Sequence, residues 1–143
     1  MKVRSIVNWV KAPSPYKSFQ EFWPHYLKLH KEPLVLREHE RGTTSGLVSG
    51  ALTSTLGGIG AVAIEMSELL ILVPAVFGAV HAAVTYAILI PSHEKYGKNK
   101  AATLESLKHA WWSIRGDHKM WMYKKRGWLD EEFKKLGIQV PTK

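Results

Sequence analysis

Two stretches without a charged residue constrain this chain more than any other feature. The first, Thr43 to Ile64, reads TTSGLVSGALTSTLGGIGAVAI, and the second, Leu69 to His93, holds the apolar run LLILVPAVFGAVHAAVTYAILIP. Each exceeds the roughly 20 residues a helix needs to cross a bilayer core. Only Glu65-Met66-Ser67-Glu68 separates them, which suits a tight turn between antiparallel helices. The expected fold class is all-α: a membrane protein built on a two-span transmembrane helical hairpin, with spans near 44–64 and 69–91 and flanking amphipathic or interfacial helices. The competing fold is a hairpin buried inside a soluble globule, but no other apolar element is long enough to cover such a pair.

Small residues recur at spacing four in both stretches: Gly46, Gly50, Ser54 and Gly58 in the first, Ala75, Ala79, Ala83 and Ala87 in the second. Spacing four is one helical face. Small-residue faces let helix backbones approach closely in lipid, so the two ladders are expected to pack against each other.

The mean hydropathy of −0.14 suggests a soluble protein only because charge is segregated along the chain. Through Gly42 there are eight Lys/Arg and four acids, and from His93 onward twelve Lys/Arg and six acids. The turn holds only Glu65 and Glu68. The positive-inside rule then puts both termini on the cytoplasmic or matrix side. All six tryptophans lie outside the spans, where the membrane boundary favours them. Basic, aromatic flanks beside membrane spans fit anionic phospholipid rather than nucleic acid. The absence of cysteine excludes disulfides, thiolate metal sites and iron–sulfur clusters. There is no Gly-rich phosphate loop, nucleophile elbow or HExxH motif.

The chain divides into a basic extension at 1–17, a membrane domain at 18–122 and a basic helical extension at 123–143. Val3, Ile6, Val7 and Val10 share a helical face, which reads as a retained amphipathic segment on the membrane surface; part of a mitochondrial transit peptide is the other reading. Ser18-Phe19-Gln20-Glu21 is a capping box. Leu104, Leu107, Trp111 and Ile114 mark one face of a later helix, and Arg115-Gly116-Asp117 reads as a break with Asp117 as the next N-cap. A last helix over 129–136 sets Leu129, Phe133 and Leu136 on one side and stops at Gly137. Trp9, Trp121, Trp128 and Phe133 are the expected anchors for a partner surface.

Histidine carries what chemistry there is. His30 and His39 bracket Pro33 just before the first span, and His93 ends the second. An antiparallel hairpin brings the start of one helix beside the end of the other, so the topology alone can gather His30, His39 and His93. Three imidazoles suit iron(II), zinc or copper; histidines also sit at membrane interfaces without a metal.

The segments FQEFWPHYLKLHKEPLVLREHERGTT (19–44) and SHEKYGKNKAAT with LKHAWWSIRGDHKMW (within 92–121) resemble the family called domain of unknown function 962. Its characterised fungal member is an iron(II)-dependent 2-hydroxy fatty acid dioxygenase of phytosphingosine breakdown. Tyr26, Leu27, His30, Pro33, His39, Gly42 and Thr43 fall on the first part of the family pattern. His93, Lys98, Asn99, Ala102 and Thr103 fall on the second, and Trp112, Ser113, Ile114, Arg115, Gly116, Asp117 and Met120 on the third. The resemblance implies that His30, His39 and His93 occupy the family's metal-ligand positions. The chain departs from the pattern at Glu32, Glu40, Arg41, Gly97 and Ala101.

Two functions follow. The preferred expectation is a non-enzymatic accessory subunit of a large mitochondrial inner-membrane complex, of the respiratory chain or ATP synthase. It would have matrix-side termini and need no cofactor, its partners would be other membrane subunits and anionic phospholipid, and the histidines would be left hydrogen-bonded to Glu32, Glu40 or water. The alternative, implied by the resemblance, is an iron(II)-dependent dioxygenase shortening 2-hydroxy fatty acids in an organelle membrane, with the endoplasmic reticulum and cytosolic termini as the other location.

Overall fold

The computed structural model describes residues 8–140, which are helical throughout their regular structure, with no strand among them. Five main helices follow one another: α1 (Phe19–Leu29), α2 (Pro33–Ala63), α3 (Val73–Ser92), α4 (Leu107–Lys125) and α5 (Leu129–Lys135). Short tight turns of helix at Ser67–Leu72 and Ala102–Leu104, and one wide turn at His93–Gly97, connect them. Residues 8–11 are also helical; Val3, Ile6 and Val7 lie outside the described residues.

Local chemistry sets the helix starts. Ser18 Oγ accepts from the Glu21 amide at 3.3 Å, while the Glu21 carboxylate accepts from the Lys17 amide at 2.9 Å, a close relative of the expected capping box. Pro33 opens α2, where its fixed φ and missing N–H cost nothing. With 31 residues α2 is about 46 Å long, well beyond a hydrocarbon core of roughly 30 Å. Its charged first turns, from Arg37 to Arg41, therefore stand outside the apolar span.

The glycine ladder of α2 forms the hairpin seam. Gly42, Gly46, Gly50 and Ser54 are buried, facing in turn Leu89, Thr85 with His81, Phe77, and Val73 of α3. A Cβ at Gly46 would lie 2.7 Å from the His81 carbonyl, and one at Gly50 would lie 3.0 Å from the Phe77 carbonyl. Gly58 sits near the closed end, facing Leu70 and Val73. The alanine ladder does not join this seam: Ala75, Ala79, Ala83 and Ala87 are exposed. A groove left by missing side chains is filled by larger ones, because close packing leaves no void between two sets of small residues. Polar groups add anchors, with Thr85 Oγ1 donating to the Gly42 carbonyl and Ser54 Oγ to the Val73 carbonyl, each at 3.3 Å.

The rest of the hairpin turns apolar side chains outward, among them Val48, Leu52, Leu56, Ile59 and Ile71. Both helices are long and apolar enough to cross a membrane, and this outward face suits lipid, not the interior of a soluble globule. The hydrophobic core lies beyond the hairpin's open end. There Phe19, Phe22, Trp23 and Tyr26 of α1 pack with Trp112 and Met120 of α4 and Leu129 and Phe133 of α5.

Two features of α4 differ from expectation. Ser106 is its N-cap, accepting from the His109 amide at 3.1 Å, and the helix runs through Arg115-Gly116-Asp117 without a break. Glycine is needed at 116 because a Cβ there would sit 2.9–3.0 Å from the Tyr26 ring. The inward face is also different. Leu104, Leu107 and Trp111 are exposed, Trp111 by 71%, while α4 buries His109, Trp112, Ser113, Gly116, Asp117 and Met120. Gly137, at φ 65°, follows α5 in the left-handed conformation glycine tolerates best.

Two outcomes test this architecture. Gly50→Leu should destabilise the protein in detergent by about 1–3 kcal/mol, the usual cost of overpacking; Gly57→Leu, where a Cβ meets nothing within 4 Å, should leave the melting temperature nearly unchanged. Impermeant amine labelling of vesicles should modify Lys17 and Lys124 from one side only, since both flank the hairpin's open end.

Candidate metal centre

Three helix ends meet at that open end. His30 caps the C-terminus of α1, its amide bonded to the Leu27 carbonyl at 3.0 Å. His39 lies two turns into α2. His93 follows α3 at the start of a widened turn closed by the Asn99 amide on the His93 carbonyl at 3.2 Å, with Lys98 left-handed at φ 47°.

All three imidazoles are buried, and their Nε2 atoms converge. His93 Nε2 lies 3.1 Å from His39 Nε2 and 3.1 Å from His30 Nε2. The rings stand at 87–90° to one another. Each Nδ1 faces an oxygen: the Tyr26 carbonyl from His30 at 2.5 Å, Asp117 Oδ1 from His39 at 2.9 Å, and Asn99 Oδ1 from His93 at 2.7 Å. The Asn99 amide is oriented by its own Nδ2, which donates to the Leu29 and Gly97 carbonyls at 3.1 and 3.2 Å.

This pattern fixes the tautomers. A carbonyl, a carboxylate and an amide oxygen all accept, so each Nδ1 carries the proton and each neutral Nε2 presents a lone pair. Three lone pairs facing one another have no hydrogen to share, and a cation among them removes the repulsion. The spacing fits: nitrogens about 2.1 Å from a metal at right angles stand about 3.0 Å apart. The oxygen partners behind the rings are of the kind that fix metal-bound histidines. Burial, followed by the neighbouring imidazoles of His39 and His93, holds His30 well below the usual histidine range, in the neutral form that binds metal.

Asp117 is the centre's main support. Buried in α4, it accepts from His39, from the Tyr26 hydroxyl and from the Tyr86 hydroxyl at 3.1 Å. Burial raises its pKa, and the hydrogen bonds from Tyr26 and Tyr86 work against that rise. A small cavity of about 10 Å³ lies beside the imidazoles, lined in part by Tyr86, Leu89, Ser113 and Asp117.

Glu32 and Glu40 do not serve as partners of the histidines. Glu40 instead pairs with Lys124 at 2.8 Å and Lys125 at 2.6 Å, and Arg41 reaches Glu38 at 3.5 Å. Of the expected anchors, Phe133 belongs to the protein's own core. The Trp9 indole donates to the Thr103 carbonyl at 3.0 Å, Trp121 donates to Thr44 Oγ1 at 2.9 Å, and Trp128 is 47% exposed. The supporting roles of Tyr26, Tyr86, Asn99 and Asp117 were not assigned from the sequence. One signal was available: Ser113, Gly116, Asp117 and Met120 follow the i, i+3, i+4, i+7 spacing of one helix face.

A family model described as 2-hydroxy-palmitic acid dioxygenase Mpo1-like matches residues 16–128. Among curated proteins and solved structures no match is found.

Asp117→Asn should keep the fold but lower metal affinity by roughly 10–100-fold, the usual effect of removing a partner behind a ligating histidine. Competition with a chelator of known affinity measures it.

Proposed function

Because the chain belongs to the 2-hydroxy-palmitic acid dioxygenase-like family, we propose that it is an iron(II)-dependent dioxygenase that shortens 2-hydroxy fatty acids at a membrane surface. The observation that carries this reading is the set of three Nε2 lone pairs with every Nδ1 proton already directed to an oxygen. Iron(II) held by His30, His39 and His93 would supply the redox chemistry with dioxygen. The overall change balances as a 2-hydroxy acid and O₂ giving carbon dioxide, water and a fatty acid one carbon shorter.

The chain's own residues do the rest. Tyr26, Asn99 and Asp117 orient the rings, and the Asp117 carboxylate would offset part of the charge of a divalent ion held by three neutral imidazoles. Burial keeps bulk water from the ligands. The centre sits where the charged start of α2 meets the apolar hairpin. A fatty acid would there hold its carboxylate at headgroup level and its chain in lipid. By the positive-inside rule this is the cytosolic or matrix side.

The accessory-subunit reading, in the mitochondrial inner membrane or elsewhere, draws less support. Family membership does not point to it, and three of its four anchors are engaged within the chain.

Purified protein should carry stoichiometric iron and release one carbon dioxide per 2-hydroxy acid consumed, and His39→Ala should lose both properties. Iron-free protein without turnover, isolated as part of a large membrane complex that His39→Ala leaves intact, would overturn the proposal in favour of an accessory subunit.

A further inference from the structure

Around the metal cavity the hydroxyls of Tyr26 and Tyr86 are committed, both donating to Asp117. Ser113 is different. Its side chain lines the same cavity as the three histidines, the residue is 2% exposed, and its Oγ has no hydrogen-bond partner. A serine inside a helix can bond back to the carbonyl one turn earlier, and this one does not. It lies one turn before Asp117 on the same face of α4, so the carboxylate behind His39 and this free hydroxyl share one cavity.

The cavity, at about 10 Å³, is comparable to the volume one water needs. Ile90 and Ala101 line it and also line a wider groove of about 510 Å³ that carries Lys98 and Lys100 together with Glu94, for a net positive lining. The two spaces share Ile90 and Ala101 as a common wall, so an acidic head held near those lysines would reach the cavity with one oxygen by displacing Ala101. Resting on the dioxygenase reading, we propose that Ser113 is a substrate-binding residue. Its hydroxyl donates a hydrogen bond to an oxygen of the 2-hydroxy acid head and so fixes the head beside the three imidazoles.

The test uses the full chain in detergent, loaded with redox-inert zinc and titrated with 2-hydroxypalmitate and with palmitate. Ser113→Ala should bind 2-hydroxypalmitate roughly five- to tenfold more weakly, the worth of about one hydrogen bond, with zinc stoichiometry unchanged. Ser113→Thr, which keeps the hydroxyl, should retain more of the affinity. Weakening confined to 2-hydroxypalmitate assigns the bond to the 2-hydroxyl; equal weakening of palmitate assigns it to the carboxylate; either supports the proposal. Unchanged affinity in Ser113→Ala overturns it, as does loss of zinc, which would make Ser113 part of the metal support. Zinc-loaded wild-type protein that binds no 2-hydroxy acid would overturn the dioxygenase reading and this proposal with it.

Discussion

A single buried carboxylate ties the protein together. Asp117 projects from α4 and receives hydrogen bonds from Tyr26 of α1, His39 of α2 and Tyr86 of α3. A carboxylate taken out of water is costly unless polar partners replace its hydration, and here three helices supply them. Each partner then has a fixed place relative to α4. Tyr26 can lie flat against α4 only because residue 116 is glycine. His39 can turn its Nε2 inward only because Nδ1 is held from behind. The same contacts that satisfy one buried charge therefore set the registry of four helices and the orientation of the His39 imidazole.

Close approach of α2 and α3 is the second constraint. His39 and His93 lie 54 positions apart in sequence, yet their Nε2 atoms are 3.1 Å apart. That distance depends on Gly42, Gly46 and Gly50, whose missing side chains admit Leu89, Thr85 and Phe77. The seam lies in the apolar part of the chain and the three histidines lie just beyond it. Of the three, His39 is on α2 itself, while His93 follows α3 and His30 ends α1, so the lipid-facing lengths of the hairpin and the histidine cluster are adjacent but distinct.

Much of this was legible in sequence because it rests on period and topology. Uncharged length identified the spans, spacing four identified the glycine face, and antiparallel pairing gathered the histidines. What was not legible depends on which face of a helix a tertiary contact selects. The alanine ladder has the same spacing as the glycine ladder and faces outward, because the glycine groove accepts bulk. The Leu104, Leu107 and Trp111 face of α4 looked like the inner one from hydrophobicity alone, but at a membrane the apolar face can be the outer one. Arg115-Gly116-Asp117 has the composition of a turn, and only the Tyr26 ring and the shared carboxylate explain its place inside a helix.

The positions where the chain departs from the family pattern bear on whether the centre is a relic. Charge at Glu40 and Arg41 would obstruct an acyl chain if those side chains entered the site. Instead Glu40 is held by Lys124 and Lys125 at the end of α4, and Arg41 is turned to Glu38 and solvent. These pairs are partly exposed and each contributes little to stability, but they keep the charges away from the imidazoles. At Gly97 a Cβ would lie 2.9 Å from Asn99 Nδ2, so glycine leaves room for the amide that orients His93. Where these departures touch the centre, they leave the support of His39 and His93 in place. Three neutral imidazoles, each held from behind and pointed at one another in a buried space, are what the proposal of a working metal centre rests on.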